Sequence, residues 1–293
     1  MSSANVLYDA PGPRARRLAG IGGAIAVLVL LLLVGLVVKR LADSGQFAGT
    51  LWGPILNPSD ESFKAVWELI AKGVLATLTA AVLSIAFSLV IGGVIGVARM
   101  MLGRWSRMPI VALIELLRGL PVVITIYFAS RVLPDLGVNL TGLPGGAGLW
   151  FLVIGLTAYN SVIIAEIIRA GVASLPRGQS EAALAVGLTP GASMRLVLLP
   201  QAVRVMLPAL ISQLVVILKD TSLAAVLGLY IELLRQGNLI ALNLNNPIQI
   251  LAVVAVIFIL INYGLSRVAT WVDQRSVRKT QSAHIEGGPA EVG

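Results

Sequence analysis

Long apolar runs separated by short polar breaks dominate this chain. A helix rising 1.5 Å per residue needs about 20 mostly apolar residues to cross roughly 30 Å of bilayer hydrocarbon. Six runs reach that length, at about 18–38, 73–98, 108–130, 148–168, 206–231 and 249–270. They predict an all-α membrane protein of six transmembrane helices. Residues 39–72, which include Asn57-Pro58-Ser59-Asp60, read as an extracytoplasmic loop. Residues 271–293, with Gly287-Gly288-Pro289, read as a disordered tail.

Composition supports the pattern. Of 293 residues 57% are hydrophobic and 12% charged, against roughly 25% charged in a soluble domain. The net charge of +8 invites a nucleic-acid reading. Most basic residues, however, flank the apolar runs, as membrane topology requires. Fourteen Lys and Arg residues lie in 1–17, 99–107, 169–205 and 267–293, and six in 39–72, 131–147 and 232–248. That excess puts both termini, the 1–17 tail and the stretch at about 170–204 in the cytoplasm. Arg14, Arg16 and Arg17 precede an apolar run to Val38. The run is longer than the roughly 7–15 apolar residues of a signal peptide and lacks a small-x-small cleavage site. It reads as an uncleaved first helix. There is no cysteine, which excludes disulfides and thiolate metal sites, and the lone His284 lies in the polar tail.

Charged residues interrupt three spans. Glu115 and Arg118 precede Gly119-Leu120-Pro121, Glu166 and Arg169 repeat the spacing of three, and Lys219-Asp220-Thr221-Ser222 falls within the fifth run. A charge at mid-bilayer costs about 2.5–3.5 kcal/mol on insertion scales, so it faces protein or water. Two arrangements fit the first two pairs. Each pair can close locally on its own helix, or Glu115 can pair with Arg169 and Arg118 with Glu166 across an inner gate. Lys219 and Asp220 point about 100° apart on a helix. Their partners are therefore another helix, a second subunit, a water-filled path or a substrate. Pro208 predicts a kink in that span. Asn160 and Gln213 can line a path or join helices by hydrogen bonds. Gly92 and Gly96 form a G-x-x-x-G pair that permits close helix approach, within the chain or in a dimer.

Catalytic signatures are absent. No G-x-x-x-x-G-K-[ST], H-E-x-x-H or G-x-S-x-G occurs, so the chain carries no phosphate-binding loop of its own. Residues 178–200, GQSEAALAVGLTPGASMRLVLLP, are too polar for lipid and too patterned for a linker. Glu181 to Ala185 are good helix formers, Gly187 can end the helix, and Thr189-Pro190-Gly191 forces a turn. A second short run, Ser193 to Leu199, leads to Pro200.

Glu181-Ala182-Ala183, Gly187 and Val197-x-Leu199-Pro200 resemble, in order and spacing, the EAA loop of bacterial ABC importer permeases, with Val197 where Ile is usual. Arg118-Gly119-x-Pro121, Glu166-x-x-Arg169, Gly178-Gln179, Pro200-Gln201-Ala202 and Lys219-Asp220-Thr221-Ser222-Leu223 are similar to the polar amino acid uptake permeases over about residues 70–270. Tyr8-Asp9-Ala10-Pro11-Gly12-Pro13 and the extra first helix resemble the D-type permeases of actinobacterial glutamate importers. Leu120, where relatives often have Thr, and Ile163, where many have an aromatic residue, depart from the pattern. Coupling residues are therefore carried over and specificity residues are not.

The resemblance implies a five-helix permease core at 73–270 with one added N-terminal helix, in the bacterial cytoplasmic membrane. It implies that Glu181, Ala182, Ala183, Gly187, Leu199 and Pro200 engage a separate ATPase dimer, which uses the ATP and Mg²⁺. A second permease subunit and an extracytoplasmic substrate-binding protein complete the implied assembly, and this chain binds no cofactor itself. Its expected substrate is glutamate or a related polar amino acid. Lys219 or Arg118 is the candidate for the substrate's carboxylate, and Asp220 or Glu166 for its ammonium. Thr221, Ser222, Asn160 and Gln213 are candidates for the path. The alternative is an ion-coupled secondary carrier using the intramembrane carboxylates. That reading calls for inverted repeats, and none is visible in the sequence.

Overall fold

A computed structural model describes residues 12–285, and every regular element among them is helical. Residues 1–11, with Tyr8 to Pro11 of the N-terminal motif, and residues 286–293 lie outside the described residues. Helix α1 (Pro13–Asp43) contains the first apolar run, and none of its residues is buried. A short helix α2 (Gly49–Leu56) leads to α3 (Phe63–Met101), 39 residues long. At 1.5 Å per residue α3 measures about 58 Å, so it projects well beyond the hydrocarbon layer. It starts ten residues before the run at 73, inside the segment expected to be loop. Val66, Ile70 and Gly73 recur at helical spacing there and are buried, which extends the helix by tertiary packing.

The third run does not form one straight helix. It breaks into α4 (Met108–Gly119) and α5 (Val122–Asp135), whose axes are bent by 108°. Proline disfavours helical backbone in the residue before it and supplies no N–H. Leu120 is accordingly extended at φ −93°, ψ 141°, and Pro121 caps the second half at φ −61°, ψ 136°. Counting the bent pair as one unit, six elements among the described residues are long and apolar enough to cross a membrane.

Helix α6 (Gly146–Ala173) is the central rod, and α3 packs along its length. The buried stripe of α3 consists of small residues: Gly73, Thr77, Ala80, Ala81, Ser84, Ser88, Gly92 and Gly96. A Cβ at Gly92 would lie 2.6 Å from the carbonyl oxygen of Ser161, and one at Gly96 3.0 Å from that of Ala165. The G-x-x-x-G pair thus joins α3 to α6 within the chain and is closed to a second copy. Gly155 of α6 serves α5 similarly, where Thr125 Oγ1 donates to the Gly155 carbonyl at 3.0 Å.

The stretch expected to be cytoplasmic folds into α7 (Arg177–Ala185), α8 (Pro190–Ser193) and a π-helical turn at Met194–Leu198 that runs into α9 (Leu199–Asp220). Pro200 therefore opens α9 and does not end a helix. Its missing N–H breaks the ordinary ladder, and the wider turn absorbs it, with Leu199 N–H donating to the Met194 carbonyl. Helix α9 continues without interruption through Pro208. It ends eleven residues before the predicted end of the fifth span, at Asp220. Thr221 Oγ1 and Ser222 Oγ donate back to the carbonyls of Leu218 (2.7 Å) and Lys219 (2.8 Å) there. The short helix α10 (Leu223–Leu227) follows.

Residues 232–248, expected as loop, contain α11 (Leu233–Leu244). Glu232 caps it, accepting from the N–H groups of Leu234 and Arg235 at 2.8 Å each. Burial pushes its carboxyl up to about 7, against the pull of those two donors. Gly73 of α3 meets the Leu233 backbone, and Leu233 N–H donates to Thr77 Oγ1 at 3.0 Å. Helix α12 (Pro247–Ile285) completes the fold. It passes residue 270, where the disordered tail was expected, because no Gly or Pro intervenes before Gly287.

Three buried clusters fill the bundle. One joins Ile55, Ile70, Leu233 and Ile250; a second joins Ala80, Ile126, Leu152 and Ala224; a third joins Ile164, Ile168, Met206 and Ile217. A paired substitution tests the α3–α6 contact. Gly92→Ala should cost about 1–3 kcal/mol by overpacking, whereas Gly93→Ala, with nothing within 4 Å of its Cβ, should leave the thermal midpoint of the purified protein unchanged.

Candidate functional site

The loop from Arg177 to Pro200 is built from its caps. Helix α7 ends in a Schellman arrangement: Gly187 N–H donates to the Leu184 carbonyl at 3.0 Å, and Leu188 N–H to that of Ala183 at 3.2 Å. Gly187 sits at φ +88°, and a Cβ there would meet nothing within 4 Å. Backbone conformation therefore requires this glycine, and crowding does not. Thr189 then caps α8, its hydroxyl accepting from Ala192 N–H at 3.3 Å, with Pro190 in the first turn.

Of the expected coupling residues, Ala183 is buried against the rest of the loop, while Glu181, Ala182, Gly187 and Pro200 are exposed. Leu184 and Val186 are also exposed, at 46% and 78%. The sequence reading passed over these two, because apolar side chains near a helix end signal packing as readily as display. The loop is tied to the bundle at two points. Gln201 Nε2 donates to Gln179 Oε1 at 3.1 Å and to the Val197 carbonyl at 3.0 Å. Leu199 packs on the cluster of Ile164, Ile168, Met206 and Ile217. A push on α7 thus reaches both α6 and α9.

The intramembrane charges follow the local pairing and not the cross-pairing. Arg118 lies 3.6 Å from Glu115 on α4, both side chains well exposed. Arg169 donates through Nε to Glu166 Oε1 at 2.9 Å. The second oxygen of Glu166 accepts from Arg99 at 2.6 Å, with Arg99 and Glu166 side chains only 18% and 24% exposed. One carboxylate therefore joins α3 to α6 and is held by two guanidinium groups. Arg99 was counted as a flanking charge; its spacing to Glu166, 67 residues away, carries no signal that a sequence pattern can reveal.

Asn160 and Gln213 are brought together, Gln213 Nε2 donating to Asn160 Oδ1 at 2.6 Å, while Asn160 Nδ2 donates to the Leu156 carbonyl at 2.8 Å. Asn160 is fully buried, so the pair is a polar joint between α6 and α9. Lys219 and Asp220 occupy the last turn of α9 and not its middle, since the helix starts earlier and stops sooner than its apolar run. They enter no ion pair with other helices among the described residues. Thr221 is buried, whereas Lys219 and Ser222 line a groove of about 580 Å³ between α9, α11 and α12. Asn262 of α12 lines the same groove, its Nδ2 spent on the Phe258 carbonyl at 2.7 Å and its Oδ1 buried without a hydrogen-bond partner. Lys219, Ser222 and Asn262 are the polar residues of an otherwise apolar lining. The sequence reading missed Asn262, which stands alone in an apolar run.

Two measurements probe this geometry. A double-mutant cycle on thermal stability with Arg99→Gln and Glu166→Gln should give a coupling of about 1–3 kcal/mol, and the exposed Arg118/Glu115 pair no more than about 1 kcal/mol. In limited trypsin digestion Gly187→Ala should speed cleavage between Arg177 and Arg195, because left-handed backbone costs a side chain about 1–2 kcal/mol; Gly187→Asn should change it little.

Comparison with known proteins places this architecture. Residues 88–278 match the family described as binding-protein-dependent transport system inner membrane component. The chain is 38% identical over 236 residues to the glutamate transport system permease protein GluD of Corynebacterium glutamicum, covering 80% of this chain and 83% of that one. It is 36% identical over 216 residues to the glutamine transport system permease protein GlnP of Escherichia coli strain K12, covering 73% and 96%. A solved structure described as an amino acid ABC transporter with histidines superposes with a TM-score of 0.65 at 27% identity, over 73% of this chain and 97% of that one. With its bundle of membrane-length helices and its capped loop at Arg177–Pro200, the chain belongs to the family of binding-protein-dependent transport system inner membrane components.

Proposed function

We propose that this chain is the permease subunit of an ATP-driven importer for glutamate or a related polar amino acid in a bacterial cytoplasmic membrane. The observation that carries the proposal is the loop at Arg177–Pro200. It displays Glu181, Ala182, Leu184 and Val186 to solvent, is held in shape by Gly187 at φ +88°, and is tied by Gln179–Gln201 and Leu199 to two spans. Such a loop transmits force; an ion-coupled carrier has no use for it. The names of the relatives supply the substrate class.

In this reading the partners are an ATPase dimer that seats the loop and holds ATP and Mg²⁺, a second permease and an extracytoplasmic binding protein. ATP binding biases inward- and outward-open states through contacts that differ between them. The substrate assignment narrows. Glu166 is committed to Arg99 and Arg169, whereas Arg118 is paired only loosely with the exposed Glu115. Lys219 and Arg118 are the candidates for a substrate carboxylate, Lys219 with Ser222 and Asn262 in the same groove. Asp220 is the remaining candidate for the ammonium group.

Two experiments check the proposal. In the reconstituted complex, Leu184→Asp with Val186→Asp should lower ATP hydrolysis stimulated by loaded binding protein about thirtyfold, as loss of roughly 2 kcal/mol of interface contacts does. Insertion should be unaffected; unchanged stimulation would remove the docking role. Screening the standard amino acids for that stimulation should single out glutamate or a close relative.

A further inference from the structure

Four arginines converge where α3, α4 and α6 end on the cytoplasmic side. Arg99, Arg104, Arg107 and Arg169 line a groove of about 900 Å³. Glu166 engages Arg99 and Arg169. Arg104 and Arg107, both exposed, have no carboxylate within ion-pair distance among the described residues. Below them the wall turns apolar, with Met108 and Val111 of α4 and Val172 of α6. Beside the groove Trp105 is 78% exposed, and an indole at this level sits comfortably among lipid headgroups.

This is an amphipathic cleft: two uncommitted guanidinium groups at headgroup depth above a greasy wall that continues into the membrane. Guanidinium binds phosphate oxygens in a two-pronged fashion. A soluble anion would satisfy the arginines and leave the apolar wall unused. A phospholipid fills both parts, and basic pockets between helices on the cytoplasmic side are the usual form of such sites.

We propose that this groove binds an anionic phospholipid of the cytoplasmic leaflet, with its phosphate on Arg104 and Arg107 and an acyl chain along Met108 and Val111. The lipid would hold the start of α4 against the Arg99–Glu166–Arg169 joint. This site is independent of the transported solute.

The test uses the assembled complex in mild detergent, titrated with phosphatidylglycerol and followed by native mass spectrometry. Each arginine near a membrane surface contributes enough to change affinity about fivefold. Arg104→Gln with Arg107→Gln should therefore weaken phosphatidylglycerol binding about thirtyfold. Arg16→Gln with Arg17→Gln, the same loss of charge at the start of α1, should leave it unchanged, and phosphatidylcholine should bind both forms alike. If the double variant fails to assemble, Arg104→Gln alone, with about a fivefold loss, decides the matter. Equal retention in variant and wild type overturns the site, as does an equal loss in the α1 control. Full displacement by millimolar inorganic phosphate would make it a soluble-anion site, and binding to the purified chain alone but not to the assembled complex a protein contact; either result also overturns the lipid assignment.

Discussion

Inside a bilayer, helices gain nothing by hiding apolar surface from lipid, so close contact must come from shape. The seam between α3 and α6 is the answer this chain gives. Gly92 and Gly96 bring the α3 backbone onto the carbonyls of Ser161 and Ala165, and Gly73 does the same for Leu233 of α11. Ser84 and Ser88 continue the stripe. Dispersion is short-ranged, so a seam of hydrogen-sized side chains gains contacts that Leu or Ile would prevent. With α6 clamped on one side by α3, its other faces take α5 through Gly155 and α9 through Gly171 and Met206.

Polar joints then choose among the ways such rods can slide. Asn160 with Gln213 fixes α6 against α9, and Glu166 shared by Arg99 and Arg169 fixes α6 against α3. Each is buried or half-buried, where an unpaired group would be costly, so each specifies a register more than it adds stability. Both lie on the same rod, α6. The loop at Arg177–Pro200 is attached to that rod through Leu199 and the cluster around Ile168, and to α9 directly because the π-helical turn at Met194–Leu198 runs into that helix without a break. A displacement of α7 is thereby delivered to the two spans whose polar joint lies deepest in the bundle.

The part of the bundle around Pro121 and Lys219 is arranged differently. The third span breaks at Pro121, with extended backbone at Leu120, and α9 passes through a tight turn at 221–222 into α10. Irregular backbone at membrane depth persists only where protein or a water-filled space satisfies it. The groove of Lys219, Ser222 and Asn262 lies beside the second of these, with an amide oxygen left unpaired. Its polar groups come from α9, the turn that follows it and α12, which makes its width sensitive to how α9 and α12 sit.

Periodicity and local chemistry were enough to establish the helical class and the membrane-length rods, to mark a helix end at Gly187, and to offer the local pairs Glu115–Arg118 and Glu166–Arg169 as one of two arrangements. All of these depend on residues within a few positions of one another. What the tertiary structure decided is long-range. Arg99 reaches Glu166, Asn262 lines one groove with Lys219, and Gly92 faces Ser161, none of which leaves a trace in nearby sequence. Element ends belong to the same class: α3 begins early because Val66 and Ile70 find α11, and α11 is a helix because Glu232 caps it and α3 buries it. Hydropathy reports where a chain tolerates lipid; it is contact with neighbouring helices that sets where each rod starts, breaks and stops.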